Sequence, residues 1–430
     1  MAGFADALKA ELDSVSVVDP HSHLRPDRPQ ADTLADLVLY HHVWIELVSA
    51  GMPTTAATRA GLPHELADPG MAPEDRLKAA LPYLPEIANT TCGWMLRTLL
   101  ADLCGLPGGE LTSANLDEAL AAVAARAGHP GWPEQLLGER CGLEKTLTVE
   151  GSERTPSDPR VGRGLEQNLN LVSGRLGPRE SLDALSRQLG RELTTAAQLA
   201  EAMHERGRAL SARGLHFVGL WLLPHLRWLS PRDQEVTQVL ARAAAGAALS
   251  PEELSAFTCF SLRHLLAGLR TGPVRTIQVL VGAEVLPPHR SLTHWSPEFT
   301  GALGRLAGEH EDFEFNCSSA SDLYTQDLAV LAKHVPNISV AGYWWHTLYP
   351  FYLRKSLETR LDIVPASKIT AFFSDAYHAE WIYPKLRLVK QVVGEVLGDR
   401  VARGLCSPDL ALSLVRRLFR DNPRRIYHIA

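Results

Sequence analysis

Ser16-Val17-Val18-Asp19-Pro20-His21-Ser22-His23-Leu24-Arg25, near the start of the chain, is the stretch whose reading decides the fold. Ser16 to Asp19 reads as a short β-branched strand, and Pro20 ends any helix before it. His21 and His23 follow at i and i+2, a spacing that in an extended segment points both imidazoles to the same side. Two imidazoles from one strand end can hold a divalent cation by two nitrogens. An isolated HxH also occurs in surface turns, and the far end of the chain selects between the two readings. Ile369-Thr370-Ala371-Phe372-Phe373-Ser374-Asp375 reads as a second apolar strand that ends on a carboxylate. Apolar residues on both faces suit a buried parallel strand. The C-terminal end of such a strand is where parallel α/β proteins place their chemistry.

An HxH after the first strand and an Asp after the last resembles the metal frame of the amidohydrolase superfamily. That resemblance implies a barrel in which strand one lies beside strand eight, so that His21, His23 and Asp375 share one metal. The expected fold is therefore α/β, a distorted TIM (β/α)8 barrel with a helical insertion after strand 1. Residues 1–430 are expected to form a single barrel domain, with 31–140 as the insertion. Leu34, Leu37 and Val38 recur at helical spacing there, as do Leu77, Leu81 and Leu84, and then Leu96, Leu99 and Leu103. Pro53, Pro63, Pro69 and Pro73 divide the region into short helices. Strand-like runs return at Lys145–Val149, Phe217–Leu223, Arg275–Gly282, Asp312–Cys317, Ile338–Tyr343 and Lys368–Ser374. Helical segments such as Ala196–Ala212, Pro251–Leu269 and Leu323–His334 separate most of them, which favours a parallel barrel. Residues 150–180 are polar and rich in Gly, Pro and Arg, and read as a long loop or lid, or as a partly ordered segment. One barrel strand has no visible counterpart.

Of the 430 residues, 45% are hydrophobic and 21% charged, values of a globular chain with a sizeable core. The net charge of −6 is spread over interspersed acidic and basic residues, and no basic tract points to nucleic acid or an anionic membrane. No apolar run approaches the roughly 20 residues that span a bilayer. The first 14 residues carry a helical stripe, Phe4, Leu8 and Leu12, rather than the order of a signal peptide. Cys92, Cys104, Cys141, Cys259, Cys317 and Cys406 form no CxxC pair, which suits reduced thiols in a cytoplasmic protein. A barrel of this size is also compatible with a homo-oligomer.

Within the superfamily, the chain resembles the uronate isomerase (glucuronate isomerase) family, as a divergent member, at four places. His21-Ser22-His23-Leu24 matches that family's H-C-H-L, and His41-His42-Val43-Trp44 with Ser49-Ala50-Gly51 matches its D-H-Y-K-W…S-A-G. Gly342-Tyr343-Trp344-Trp345 matches G-x-W-W, and Ser374-Asp375 with Tyr383-Pro384 falls where the family has T-D-S-R-S…Y-P. The departures are informative. The family carries an Arg two residues after the closing Asp, where this chain has Tyr377. Leu280 replaces the His of its Q-L-H-I-G-A strand, and Ile45 replaces a basic residue. An Arg beside a metal normally clamps a carboxylate bidentately, so contacts expected for a uronate are missing.

The resemblance implies metal-dependent aldose–ketose isomerisation of a uronate or related sugar acid. The metal would hold the substrate's carboxylate and a neighbouring hydroxyl, and Asp375, or a hydroxide at the metal, would move a proton between C2 and C1. Zinc is the expected ion, because two His and one carboxylate leave an open position; manganese and iron are also compatible. Arg25 and Tyr377 are the candidates to meet the substrate's anionic group. Trp344, Trp345 and His225 are candidate substrate contacts, and His41 and Trp44 candidate groups covering the site. His216, His346 and His378 rank lower, and Glu150 reads as an exposed loop residue. Two alternatives stand beside isomerisation: a hydrolase in which the metal activates water, and a catalytically inactive metal-binding relative.

Overall fold

The computed structural model describes residues 2–56, 71–149, 156, 158–172, 176–286 and 290–430. In chain order these form helix α1 (Ala2–Ser14), strand β1 (Val17–Ser22), and helices α2 (Leu34–Val38), α3 (His41–Ser49), α4 (Pro73–Ala80), α5 (Thr91–Cys104) and α6 (Leu116–Ala127). Next come β2 (Leu143–Thr148), β3 (Val161–Glu166), α7 (Pro178–Leu189), α8 (Ala196–Ser211), β4 (Phe217–Trp221), α9 (Asp233–Ala244), α10 (Pro251–Leu269) and β5 (Thr276–Val281). A hairpin follows, β6 (Ala283–Leu286) and β7 (Arg290–Thr293), then α11 (Pro297–Glu309), β8 (Glu314–Ser319), α12 (Thr325–His334) and β9 (Ile338–Val340). Helices α13 (Pro350–Ile363), α14 (Ala379–Ala402) and α15 (Pro408–Arg416) lie toward the C-terminus. The chain divides into two compact units, Met1–Val161 with Ser374–Val415, and Gly162–Phe373 with Arg416–Ala430.

In the first unit β1 and β2 pair in parallel, Asp19 opposite Thr146 and Ser22 opposite Thr148. The register slips between Asp19 and Ser22, where Pro20 has no N–H to offer the ladder. Strand β1 thus runs through the proline and ends at Ser22, beyond the Asp19 limit read from the sequence. Between β1 and β2 the regular elements of the described residues are all helical, as expected of the insertion. Local chemistry sets their ends. Thr33 and Asp36 form a capping box on α2, Pro73 opens α4, and Thr90 caps α5 by accepting from Gly93 N–H. Pro63, Pro69 and Glu150 lie outside the described residues.

In the second unit the order is β3-β4-β5-β8-β9, every pairing parallel, while β6 and β7 pair antiparallel with each other. Helices fill each interval, which is the α/β alternation. Helices α8 and α10 cross at paired glycines. A Cβ on Gly207 would lie 2.2 Å from Leu265 O, and one on Gly268 2.1 Å from His204 O. The C-terminal segment secures the strands. Tyr427 donates to Asn316 Oδ1 (2.7 Å) and accepts from Gln278 Nε2 (2.7 Å), and Thr276 Oγ1 donates to Ile426 O (2.5 Å).

Three expectations need correction. The strand that escaped the sequence is β3, inside the 150–180 stretch taken for a loop. Its Gly164 is required because a Cβ there would sit 2.3 Å from the Phe217 ring. β9 stops at Val340, short of Tyr343, because the buried Arg360 guanidinium takes the Ala341 carbonyl (2.5 Å). Among the described residues, the run Lys368–Ser374 makes a single parallel bridge, Ile369 opposite Val340. Past it, Ala371 N–H goes to Leu418 O, and Ser374 N–H goes to the Asp19 carboxylate rather than to a neighbouring strand's carbonyl.

Candidate metal centre

The extended backbone of β1 and the residues beyond it brings His21 and His23 to one side, their Nε2 atoms 3.4 Å apart. Asp375 Oδ1 lies 3.6 Å from His21 Nε2 and 3.3 Å from His23 Nε2. Backbone bonds lock the two segments together, Asp375 N–H to His21 O (3.0 Å) and His23 N–H to Ala376 O (2.8 Å). Metal bonds of about 2.0–2.1 Å at a tetrahedral ion put adjacent ligand atoms about 3.4 Å apart. The three observed separations match that edge, and two imidazoles with one carboxylate are a chemically apt set for a divalent cation. His21 is fully buried and Asp375 nearly so. Burial opposes the Asp375 charge, but contact with the His21 and His23 imidazoles and the nearby Lys385 charge hold its carboxyl well below the usual range.

Asp375 has φ +50°, a left-handed conformation that costs a non-glycine residue about 1–3 kcal/mol and persists only where its surroundings impose it. Tyr40 and Lys385 impose it. Tyr40 Oη donates to Asp375 O (2.8 Å), and Lys385 Nζ reaches Ser374 O (2.6 Å), Asp375 O (3.3 Å) and Tyr40 Oη (2.8 Å). Lys385 is wholly buried, and burial pushes its ammonium down to about 8 against the pull of Asp375. On the neighbouring residue, Ser374 N–H (2.9 Å) and Oγ (2.6 Å) both donate to the buried Asp19 carboxylate, which also accepts from Thr146 Oγ1 (2.9 Å). Burial raises the Asp19 carboxyl, and these hydrogen bonds counter it.

The expected site residues of this unit divide. Tyr377 stacks flat on His23, ring centroids 4.4 Å apart, and meets His41 edge-on at 5.1 Å. Ring nitrogens of His41 and His42 and a carboxylate oxygen of Asp375 lie within 4.8 Å of one another. Trp44 is buried on the core side of α3. Arg25 is engaged in its own loop, with Asp32 (3.0 Å) and the carbonyls of Arg28 and Gln30 (both 3.2 Å). His378 precedes α14, and its Nδ1 is buried without a hydrogen-bond partner among the described residues.

In the second unit, Trp344 is buried and packs edge-on against Trp221 at 5.2 Å. Trp345 is half-buried, with φ +47° and its ring 6.0 Å from Trp221. His225 lies near enough to Glu298 to help lower its carboxyl, after the larger effect of Arg227. His216 is structural, its Nδ1 3.1 Å from Tyr427 O. Burial lowers the His346 imidazole pKa.

Sequence reasoning missed Asp19, Tyr40, His42, Ser374 and Lys385 as parts of the centre. Two of these left a signal. Asp19 is a carboxylate inside a β-branched strand, and Lys385 is a lysine within the apolar turn Trp381-Ile382-Tyr383-Pro384-Lys385-Leu386. An ionisable residue placed where burial is certain needs partners.

No protein-family model and no curated protein matches the chain. Solved structures do. The chain is similar to a uronate isomerase from Thermotoga maritima at 15% identity and a TM-score of 0.80, covering 99% of this chain and 97% of that one. It is similar to a glucuronate isomerase from Caulobacter crescentus at 16% identity and a TM-score of 0.81, covering 99% and 94%. A uronate isomerase from Bacillus halodurans matches at 14% identity and a TM-score of 0.74, covering 99% and 96%. The chain therefore has the fold of these isomerases, an α/β distorted (β/α)8 barrel with a helical insertion after its first strand.

Proposed function

We propose that the protein is a metal-dependent aldose–ketose isomerase acting on a uronate or a related sugar acid. The observation that carries this reading is the near-equilateral triangle of His21 Nε2, His23 Nε2 and Asp375 Oδ1, with edges of 3.3–3.6 Å. The names of the similar structures, uronate and glucuronate isomerases, support the reaction type. His21, His23 and Asp375 hold the ion, for which zinc is the best fit to the donor set. When bound, a divalent cation supplies Lewis-acid polarisation of the substrate's oxygens. Asp375 takes the proton from C2 of the open-chain aldose and returns it to C1. The C2–H bond breaks, a C1–H bond forms, and the hydroxyl proton moves from O2 to O1, so no external oxidant is needed.

Lys385 and Tyr40 keep the Asp375 turn in place during that transfer. Tyr377, beside His23, offers its hydroxyl to a substrate oxygen, where a guanidinium would bind a carboxylate more strongly. Of the tryptophan pair, the half-buried Trp345 is the better ligand contact, since Trp344 is enclosed. His225 is kept as a substrate contact because it follows Leu222-Leu223-Pro224, just beyond the C-terminal end of β4. Arg25 is demoted, because its guanidinium is committed to Asp32. Reduced thiols and a cytoplasmic location belong to the same reading: the six cysteines are unpaired, and five of them are buried. No helix among the described residues is long and apolar enough to cross a membrane.

The test is to load the protein with Zn2+ or Mn2+ and follow D-glucuronate, D-galacturonate and a small ester and lactone panel by proton NMR. Ketose formation that falls at least about a hundredfold in Asp375→Asn is the expected result, since a positioned base contributes that much or more. Ester or lactone hydrolysis without ketose would make the protein a hydrolase. Bound metal with no turnover would make it an inactive relative.

A further inference from the structure

Asp375 is shared by two pairs of imidazoles. His21 and His23 face its Oδ1 as described. His41 and His42, in the first turn of α3, form the second pair, their rings 4.0 Å apart and their nitrogens within 4.8 Å of the same carboxylate. The Tyr377 ring touches both pairs, flat on His23 and edge-on to His41.

We propose that His41, His42 and Asp375 form a second divalent-cation site, making Asp375 a carboxylate bridge between two metals. This rests on the reading of His21, His23 and Asp375 as ligands of the first. A carboxylate has two oxygens and about four lone-pair directions, so one aspartate can serve two cations. Paired catalytic metals stand about 3.5–4 Å apart, a distance such a bridge spans. Two ligand atoms on one cation lie between about 3.4 and 4.3 Å apart when the bonds are about 2.0–2.2 Å. A set within 4.8 Å therefore needs closure of at most about half an ångström, within the reach of small imidazole rotations. His41 is buried and His42 half-buried, so the nitrogens are partly shielded from water. The positive end of α3 opposes a cation there, but it amounts to about half a charge against the full charge of the aspartate.

The second cation also answers a gap in the sequence. Position 377 carries Tyr where the resembled family has Arg, and the His41 ring lies 5.1 Å from the Tyr377 ring. A metal on His41 and His42 restores positive charge beside that position, where the carboxylate of a sugar acid can bind.

Metal-free protein titrated with a tenfold excess of Zn2+ and desalted is counted by mass spectrometry, and Mn2+ loading is followed by electron paramagnetic resonance. Two zinc equivalents per chain are expected, falling to one in His42→Gln and in the His41→Gln/His42→Gln double variant. An exchange-coupled manganese signal is expected in the wild type and absent from both variants. One equivalent in the wild type, two equivalents retained without His41 and His42, or uncoupled manganese each overturns the second site. His21→Ala separates the two readings: it loses one equivalent if the first site exists, whatever His41 and His42 do. A wild type that binds no metal overturns both. The wild-type stoichiometry decides even if a variant fails to fold.

Discussion

At Lys385 three contacts converge on one ammonium, the carbonyls of Ser374 and Asp375 and the Tyr40 hydroxyl. Lys385→Met leaves these acceptors buried without that donor, at about 1–3 kcal/mol for each group stranded, and releases the left-handed turn at Asp375. The expected outcome is a stability loss of about 3 kcal/mol in urea unfolding together with at least a tenfold loss of Zn2+ affinity in a chelator competition. Unchanged affinity would mean that the turn holds by itself. Tyr40→Phe removes two hydrogen bonds, to Asp375 O and from Lys385 Nζ, but leaves Lys385 on both carbonyls, so both effects are expected at about half the size or less. A second residue-scale prediction concerns His310, whose Nδ1 faces Arg270 Nη2 at 2.7 Å. Burial first, and then Arg270, lower its imidazole to about 4. Its folded pKa lies below the unfolded value of about 6.5, so the unfolded chain binds the proton more readily. Stability is therefore full above pH 6.5 and is lost as the pH falls from about 6.5 to about 4, by at most roughly 3 kcal/mol. Urea midpoints at pH 7 and pH 4.5 should differ less in His310→Gln than in the wild type.

Glycine decides packing at the scale of elements. Where α8 crosses α10, an added methyl on Gly207 or Gly268 meets backbone oxygen at little over 2 Å. Alanine is the better helix former by about 1 kcal/mol, but here overpacking outweighs propensity. Gly207→Ala and Gly268→Ala are each expected to lower the unfolding free energy by about 1–3 kcal/mol, read by thermal or urea denaturation. β3 obeys the same steric rule, and its glycines are what hid it in the sequence. Gly162 and Gly164 erase the apolar alternation that marks a strand, and at Gly164 the space that a side chain would occupy is filled by Phe217. Long helices were legible because their stripes recur many times: Pro251–Leu269 has the same limits in structure as in sequence. Strand ends were not, because partners distant in sequence set them. Arg360 ends β9, and the Asp19 carboxylate replaces a ladder bond at Ser374.

For the whole molecule, the C-terminal residues and the candidate metal centre each tie together segments far apart in the chain. Tyr427 is fully buried, and its hydroxyl is the link between Gln278 and Asn316. Tyr427→Phe should cost about 1–3 kcal/mol by stranding two buried amides, and truncation after Val415 should leave the second unit unable to unfold cooperatively. Chelation should lower the melting temperature of the metal-loaded wild type but not that of Asp375→Asn, since an ion bound only by the folded chain adds to its stability. The sequence by itself determined the helical insertion, most strands, and the three candidate donors His21, His23 and Asp375, because strand and helix periods are local and an HxH declares its own geometry. Only the tertiary structure decided what holds those donors. Asp19, Tyr40, Lys385 and the pair His41 and His42 meet Asp375 or its neighbour Ser374 across up to 355 positions of chain. No local pattern encodes such meetings; the drive to pair every buried charge does.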